Sequence, residues 1–506
     1  MNAEVHIGTS GITAEQILDI ARGRARVILT DEALSAMATS RATIDALAAS
    51  DEPVYGVSTG FGALATKHIP ADSRTQLQRS LIRSHAAGHG DPVEPEVVRA
   101  LIALRLKTLA SGRTGVRPEV GQAMAALLNA QITPIVHEYG SLGCSGDLAP
   151  LAHCALVLMG EGRATDAAGV ERPVLELMAE AGIDPVTLAE KEGLALINGT
   201  DGMLGMLLMA IADLEALADA TDLIAAMSVE ALLGTDQVFR PELHEPLRPH
   251  PGQVRSAARM FAALAGSQIV ASHREGDSRV QDAYSLRCAP QVTGALRDTI
   301  AHARTVAERE LAATIDNPVV LAQGVISSNG NFHGAPIGYV LDFLAIAAAD
   351  VSSMSERRTD RMLDQHRSHG LPPFLADDPG VDSGLMIAQY TQAGLVSENK
   401  RLAAPASVDS IPSSAMQEDH VSMGWHAGRK LRRLIDNLTT VLAIELMTAA
   451  RAIDLRAPLT PSATTSAIIE GLRAEVPGPG PDRMLSPEIE AARAYLTTNL
   501  MALRER

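Results

Sequence analysis

A short glycine-rich turn at residues 140–146, Gly-Ser-Leu-Gly-Cys-Ser-Gly, combines residue types suited to unusual backbone chemistry. It follows a run with β propensity at residues 132–139 and precedes an apolar helical segment. The glycines on both sides of Cys144 and Ser145 allow backbone conformations closed to other residues, so the amide of Gly146 can approach the carbonyl of Cys144 closely. That approach is the geometry required for a backbone cyclisation.

Nucleophilic catalysis is the second chemistry that this turn suggests. The G-x-S-x-G elbow of serine hydrolases needs glycine at position 147, where Asp147 stands, and it requires a surrounding α/β sheet that this sequence does not predict. A thiol nucleophile at Cys144 with a distant histidine stays open on spacing. It explains none of the other polar segments of the chain.

Other side chains capable of chemistry stand at the ends of predicted helices. Tyr55 lies in a glycine-rich loop without a GxGxxG or P-loop lysine motif, so the loop is either a mobile segment that positions Tyr55 or a surface turn. His85 ends a short helix, where a histidine is commonly only a cap. Three polar segments also stand between predicted helices: residues 280–288 with Tyr284 and Arg287, residues 328–334, and residues 416–420. Because a bundle can bring the ends of its helices together, these side chains predict one joint site.

The apolar periodicity predicts a mainly α fold, with a long-helix bundle core and a smaller N-terminal helical region that carries loops and short strands. A helical pattern runs from Thr13 to about Ser50, and Asp147 can cap a helix that begins near Leu148. Long proline-free helical tracts cover residues 203–233, 292–314, 337–363 and 413–455. Glu418 then falls early in the last of these helices.

Three segments follow from this pattern. We expect an N-terminal region with the tyrosine loop and the cyclising turn, a central long-helix bundle, and a helical tail. Their bounds are 1–200, 201–476 and 477–506. The tail begins at a Pro-Gly-Pro-Gly-Pro run, which is typical of a break between elements.

Composition excludes several functional classes. The net charge is −17 and the basic residues are interspersed with acidic ones, which argues against a nucleic-acid partner. The sequence predicts no signal peptide and no membrane span. Three cysteines are too few and too scattered for a disulfide framework or a zinc site, so we expect a cytoplasmic protein without a bound metal.

Six ordered segments, spread over most of the chain, resemble the signature segments of the aromatic amino acid ammonia-lyases. Within that family they are most similar to the members that act on histidine. The segments are residues 55–62, 140–152, 198–200, 284–287, 330–333 and 417–420. Any one of them is a modest signal, whereas chance does not readily produce the ordered combination.

The resemblance implies that Cys144, Ser145 and Gly146 cyclise and dehydrate to methylidene-imidazolone, abbreviated MIO, with no external cofactor. The family triplet is usually Ala-Ser-Gly; its first residue contributes a carbonyl carbon, so cysteine leaves the ring chemistry intact. Ser145 loses its hydroxyl as water, and Asp147 is a candidate to assist this dehydration. The methylidene is an electrophile for the amine of L-histidine, and elimination gives urocanate and ammonia.

The same resemblance implies roles for four other residues. Tyr55 is the candidate base for the β-proton, and its phenol needs its anion stabilised to act near neutral pH. Tyr284 assists in proton transfer or orients the prosthetic group, and the sequence does not apportion the two tyrosines. Arg287 pairs with the substrate carboxylate, and Asn198 hydrogen-bonds the amine or the MIO oxygen.

Substrate choice depends on groups around the substrate ring. Gln281 and Phe332 shape the pocket, and His85 and Glu418 are the informative residues for specificity. A carboxylate accepts a hydrogen bond from an imidazole nitrogen that an apolar pocket would leave unpaired, and relatives acting on phenylalanine usually carry an amide at the position of Glu418. The family also implies a homotetramer with active sites shared between subunits.

The sequence departs from the family pattern without losing a proposed catalytic group. The departures are Cys144, Ser58, Asp201, Gly334, Ala335 and Met416. Two alternatives stay open beside elimination from histidine. One is an ammonia-lyase or aminomutase for tyrosine or phenylalanine on the same scaffold, and the other is a helical assembly protein that never cyclises the triplet.

Overall fold

A computed structural model describes residues 3–50, 53–60, 66–277 and 279–501 of the chain. The tyrosine loop is described only as far as Gly60, so Phe61 and Gly62 lie outside the described residues. The described part is mainly helical with short strands, which confirms the predicted fold class.

Eighteen α-helices occur in the described chain. They are α1 Ala14–Ala21, α2 Asp31–Ala48, α3 Arg74–His85, α4 Pro95–Ala110, α5 Pro118–Asn129, α6 Leu148–Leu158, α7 Val174–Ala181, α8 Glu192–Ile197, α9 Asp201–Ala231, α10 Pro251–Ala263, α11 Gln268–Ala271, α12 Tyr284–Arg287, α13 Ala289–Ala312, α14 Ala335–Leu363, α15 Met386–Leu402, α16 Gly424–Asp454, α17 Ala463–Arg473 and α18 Leu485–Tyr495. Four of the five longest lie in the tracts that the proline-free pattern predicts.

The strands form small, separate sheets within the described residues. They are β1 Ala3–Ile7, β2 Ala25–Leu29, β3 His89–Pro92, β4 Thr133–Pro134, β5 His137–Tyr139, β6 Arg163–Thr165, β7 Glu171–Pro173, β8 Val319–Val320 and β9 Ile326–Ser327. β1 pairs with β2 in parallel, whereas the pairs β3 with β5, β4 with β6, β6 with β7 and β8 with β9 are antiparallel. The predicted run with β propensity before the cyclising turn thus forms β4 and β5.

One sequence prediction about the N-terminal region was wrong, because a strand interrupts the helical pattern between Thr13 and Ser50. α1 begins at a capping box in which Thr13 and Gln16 each accept a hydrogen bond from the other's backbone amide. The chain then forms β2 before α2 begins. Val27 and its β-branched neighbour Ile28 suit a strand, and pairing with β1, which lies outside the helical pattern, satisfies the backbone.

Contacts divide the described residues into two compact units. The first contains Met1–Met209, Arg304–Leu341 and Pro405–Arg429. The second contains Ala210–Ala303, Asp342–Ala404 and Lys430–Arg506. The division into three segments stays a prediction.

The first unit is built around α4, in which the residues from Val97 to Ala110 are all buried. α1, α2 and α5 pack against it. The buried guanidinium of Arg99 donates to the carbonyls of Ile20, Ala21 and Leu128. These bonds offset the cost of removing the charge from water and tie α1 and α5 to α4.

The second unit is a bundle of long helix segments joined by buried polar side chains. The carboxylate of Glu445 on α16 accepts a hydrogen bond from Ser228 on α9 at 2.7 Å and another from Ser355 on α14 at 2.6 Å. Arg358 on α14 pairs with the same carboxylate. A buried charge held by this many partners is stable only in one arrangement, so the network aligns three helices.

Two helical stretches, Glu192–Ala231 and Ala335–Leu363, are long and apolar enough to cross a membrane by length and composition. Their most apolar windows are 100% and 61% buried inside the protein. Such burial is what the core helices of a folded domain exhibit, because their apolar side chains pack against neighbouring helices.

Candidate active site

The turn at residues 140–146, which is predicted to cyclise and is named the cyclising turn for that reason, packs its backbone against that of residues 198–200. Gly146 has a φ of +81°, and a Cβ at this position would lie 2.1 Å from the carbonyl oxygen of Gly199. The amide of Asp147 donates to that same oxygen at 2.7 Å. Only glycine fits at position 146, both for its left-handed conformation and for the close approach.

We expect Gly146→Ala to lower the free energy of unfolding by about 2–4 kcal/mol, because it combines backbone strain with a clash against the main chain. Thermal unfolding and intact mass would check the loss of stability and of cyclisation. The matched control is Gly169→Ala, since Gly169 has a φ of +78° with no atom within 4 Å of an added Cβ. A loss no larger than that of the control would contradict the proposed clash.

Asp147 joins two helices rather than capping the one that follows it. It stands at the N-cap position of α6, as predicted, but its side chain makes no capping bond there. Instead, Oδ2 accepts from the amides of Gly202 and Met203 at 2.9 Å each, in the first turn of α9, and Oδ1 accepts from Ser141 Oγ at 2.9 Å. Complete burial raises the pKa of Asp147 to about 7, against the opposing effect of these donors.

Two distant segments hold the turn from its other side. The carbonyl of Gly143 accepts hydrogen bonds from Ser422 Oγ at 2.6 Å and from the amide of Gly334 at 3.1 Å. The amide of Met423 donates to the carbonyl of Leu142 at 2.9 Å. The polar segments near residues 330 and 420, which are far apart in sequence, therefore meet at the cyclising turn.

The carboxylate of Glu418 lies directly on the cyclising triplet. Its Oε1 accepts from Ser145 Oγ at 2.6 Å, while Oε2 accepts from Ser413 Oγ at 2.7 Å and from Cys144 Sγ at 3.2 Å. Burial would raise the pKa of Glu418, but the three donors outweigh burial and lower it below its usual value. The group is therefore an anion at neutral pH.

Glu418 does not lie on a helix, so that prediction was wrong. α16 begins only at Gly424, and Glu418 exchanges backbone hydrogen bonds with Ser413 in a tight turn. Ser414, Ala415 and Met416 have φ values of 49°, 53° and 70°. Such left-handed residues cannot continue a right-handed helix, and the turn they form points the carboxylate at the triplet.

His85 lies at the C-terminus of α3, as predicted. Its Nδ1 is 2.9 Å from the carbonyl oxygen of Leu81, which can only accept, so Nδ1 carries the proton and Nε2 is the acceptor in the neutral ring. Burial lowers the pKa of His85 despite the opposing effects of Leu81 and of the Glu418 charge. The result is a neutral imidazole within electrostatic reach of an anionic carboxylate.

Asn198 directly follows α8 and is buried beside the turn. Its backbone carbonyl accepts from Nη1 of Arg105 at 3.0 Å, and Nη2 of the same guanidinium lies 2.6 Å from the carboxylate of Asp201. The side-chain Oδ1 of Asn198 is buried without a hydrogen-bond partner among the described residues. A buried amide oxygen without a hydrogen-bond partner is costly, and it is suited to accept from a donor on a ligand.

Tyr55 and Phe332 are both half-buried parts of the first unit. Tyr55 precedes Gly56, where an added Cβ would lie 2.9 Å from Leu194 of α8, the helix that directly precedes Asn198. Phe332 stands two residues before Gly334, whose amide donates a hydrogen bond to the turn. Five predicted residues outside the triplet, namely Tyr55, His85, Asn198, Phe332 and Glu418, thus belong to the unit that holds the triplet.

The other three predicted residues belong to the second unit. Arg287 stacks over the ring of Tyr284, with 4.6 Å from its Cζ to the ring centroid, and its Nε donates to the carbonyl of Asp282 at 3.0 Å. Tyr284 is 70% exposed at the start of α12. Gln281 lies three residues before Tyr284 and takes part in neither the ring stacking nor the hydrogen bond of Arg287.

Two features of the first unit escaped sequence analysis. His333 Nδ1 accepts from the amide of Ala335 at 3.3 Å, so its Nε2 donates to Nδ1 of His420 at 3.1 Å. Both histidines stand in segments that carry the family resemblance, which is the signal that could have found them. No feature of the sequence marks Arg105 as part of the site, because it is an ordinary residue of an apolar helix.

Within the described residues, no group of three or more His, Cys, Asp or Glu side chains could hold a metal ion.

Comparison with known proteins identifies the family. A family model for aromatic amino acid lyases matches residues 12–474. The chain is 68% identical over 493 residues to the histidine ammonia-lyase of Streptomyces avermitilis, covering 97% of this chain and 96% of that protein. It is 48% identical over 480 residues to the histidine ammonia-lyase of Gloeobacter violaceus, covering 95% and 93%.

Solved structures agree with this relationship. The fold matches a histidine ammonia-lyase from Trypanosoma cruzi with a TM-score of 0.90 at 36% identity, covering 99% of this chain and 94% of that one. It matches a tyrosine aminomutase from Streptomyces globisporus with a TM-score of 0.92 at 37% identity, covering 99% of each chain. The protein therefore belongs to the aromatic amino acid lyase family, whose histidine ammonia-lyases are carbon–nitrogen lyases.

Proposed function

We propose that the protein eliminates ammonia from L-histidine to give trans-urocanate, the first step of histidine degradation. The observation that carries the proposal is the anionic carboxylate of Glu418 on the cyclising triplet, 2.6 Å from Ser145 Oγ. A carboxylate there can accept a hydrogen bond from an imidazole N–H, which phenylalanine lacks. Relatives at 66–68% identity, all named histidine ammonia-lyase, support the same substrate.

The residues around the triplet fit the MIO group of the family. Gly146 has the backbone freedom that ring closure onto the Cys144 carbonyl requires, and the unpaired Oδ1 of Asn198 suits a donor such as the substrate amine. Once formed, MIO supplies an electrophilic carbon that makes the amino group a better leaving group. No external cofactor is needed.

We propose that Asp147 assists the dehydration of Ser145. A carboxyl group whose pKa is about 7 can hold or release a proton at neutral pH, and Asp147 directly follows the triplet. The N-termini of α6 and α9 both begin beside the turn, and their dipoles favour negative charge that develops there.

Other residues bind the substrate and move its proton. Arg287 pairs with the carboxylate through its guanidinium, and Asn198 orients the amine. Tyr55 removes the β-proton, with Tyr284 as the partner in proton transfer. Three further residues surround the substrate ring together with Glu418: His85, Gln281 and Phe332.

A lyase or aminomutase for tyrosine or phenylalanine is the second candidate function. The match to a tyrosine aminomutase with a TM-score of 0.92 favours it, because the same scaffold serves that reaction. Glu418 argues against phenylalanine, since an apolar ring would leave its Oε1 without a donor once Ser145 has lost its hydroxyl. Product analysis with L-histidine, L-tyrosine and L-phenylalanine separates them.

We propose a cytoplasmic homotetramer with active sites shared between subunits. In the second unit, apolar side chains on α14 and α15 are exposed: Phe343 is 47% exposed, Ile346 48% and Tyr390 62%. Apolar side chains at this exposure favour burial against another subunit. The exposed Tyr284 and its stacked Arg287 suit a site completed by a neighbouring subunit. Light scattering of the purified protein measures the subunit count.

The test of the proposed function combines mass with turnover. We expect the purified protein to weigh two water molecules less than its sequence, because cyclisation and dehydration each release one. Incubation with L-histidine should then produce the ultraviolet absorption of urocanate together with ammonia. A correctly cyclised protein that forms no urocanate would contradict the proposal, and an unprocessed mass would support a helical assembly protein instead.

A further inference from the structure

The surroundings of Glu418 change when the triplet matures. In the structure, Ser145 is the side-chain donor to Oε1, whereas Ser413 and Cys144 both donate to Oε2. Ser145 loses its hydroxyl on dehydration, so Oε1 loses the only side-chain donor that the described residues provide for it. Oε2 keeps both of its donors. After maturation, Oε2 of Glu418 still accepts hydrogen bonds from two side chains, whereas Oε1 has lost its donor from Ser145.

We propose that Cys144 is a positioning residue whose thiol, with the hydroxyl of Ser413, anchors Oε2 of Glu418 and leaves Oε1 to the imidazole N–H of the substrate. The inference rests on the proposed function and deepens it. It gives the Cys144 side chain a role that ring formation does not require, since only the backbone of this residue enters the ring.

The thiol is suited to this role because it stays protonated. Cys144 is 6% exposed, and burial, with the nearby Glu418 charge, raises the pKa of its thiol to about 11. It remains a donor throughout the neutral range. Alanine, the usual family residue here, has no hydrogen to donate. This chain thus holds its carboxylate with one donor more than an alanine triplet can provide.

The loss of activity at low pH, which is the acid limb of the pH profile, depends on the hydrogen bonds that Cys144 and Ser413 donate to Oε2 of Glu418. Among the described residues, the titratable groups that act on Glu418 are Cys144 and His85, and burial keeps His85 neutral. Hydrogen bonds to the carboxylate favour its charged form and lower its pKa. Activity that needs the anion is present above this pKa and lost as pH falls through it. Removing the thiol donor should move that loss to higher pH.

The experiment compares Cys144→Ala with Cys144→Ser, after intact mass has established that each variant has lost two waters. For Cys144→Ala we expect KM for L-histidine to rise about 5-fold to 10-fold with kcat changed less than about twofold, and the acid limb of kcat/KM to move up by roughly half a pH unit. Cys144→Ser restores both because serine also donates. Cys154→Ala, which removes a buried thiol from α6, is the matched control and should change neither.

Binding without turnover provides a second readout. Ser145→Ala removes the same hydroxyl and has no source of the methylidene, so calorimetry can measure the affinity of this variant for L-histidine directly. Adding Cys144→Ala should weaken Kd by about 5-fold to 10-fold. Equal affinity with and without the thiol, or an unmoved acid limb in a Cys144→Ala enzyme that still forms urocanate, would overturn the inference and leave the proposed function intact. A cyclised wild-type protein that forms no urocanate would remove the proposed function itself.

Discussion

Replacing Ser145 with alanine is expected to lower kcat for L-histidine by about 10³-fold or more, as loss of a group that reacts covalently with substrate typically does. Alanine has no hydroxyl to eliminate, so the triplet has no source of the methylidene. The side chain of Ser145 donates to Glu418 and is half-buried, and the described residues provide it with no other partner. The fold should therefore survive, with a thermal midpoint close to that of the wild type.

Intact mass and turnover measured on one preparation distinguish lost chemistry from lost folding. Ser145→Ala should lose at most one water, because it has no hydroxyl to eliminate. Ser80→Ala, which changes an exposed serine on α3, should show the wild-type loss of two waters and normal turnover. Turnover of Ser145→Ala within tenfold of wild type would be incompatible with the proposed mechanism.

Glu418→Gln is expected to reduce kcat/KM for L-histidine by about 10²-fold, because a neutral amide replaces a charge-assisted acceptor for the imidazole N–H. Its activity on L-phenylalanine should fall less or even rise, since an apolar ring no longer faces a half-buried anion. The matched control is Glu15→Gln, an exposed carboxylate in the first turn of α1. A uniform loss for both substrates would show that Glu418 supports structure rather than specificity.

The pH profile offers an independent check on Glu418. Its donors lower the pKa of the carboxylate, so the anion needed for imidazole binding is present at neutral pH and is lost only as pH falls through that lowered value. Glutamine does not titrate. The acid limb of kcat/KM that Glu418 produces should therefore be missing from the Glu418→Gln profile, and its persistence would assign the limb to another group.

The family and the long helices could be predicted because both depend on residues that are close together in the sequence. The triplet at Cys144 needs three adjacent residues and flanking glycines, and a proline-free apolar tract is sufficient for a long helix such as α14 or α16. Arg105 could not be predicted as a support for Asn198, because a guanidinium in an apolar helix has no local mark of its partners. Those partners are 93 and 96 residues further along the chain.

Tertiary structure decided where the side chains of the site point. The local pattern indicated that Asp147 caps α6 and that Glu418 lies early in a helix. In the structure, Asp147 accepts a hydrogen bond from an amide in the first turn of α9, and Glu418 follows left-handed residues and accepts from Ser145. Sequence alone determined the family and the mainly helical fold and predicted the chemistry of the triplet, since each depends on neighbouring residues. The direction of a carboxylate depends instead on which distant amides and hydroxyls are within 3 Å of it after folding, and only the packed chain specifies them.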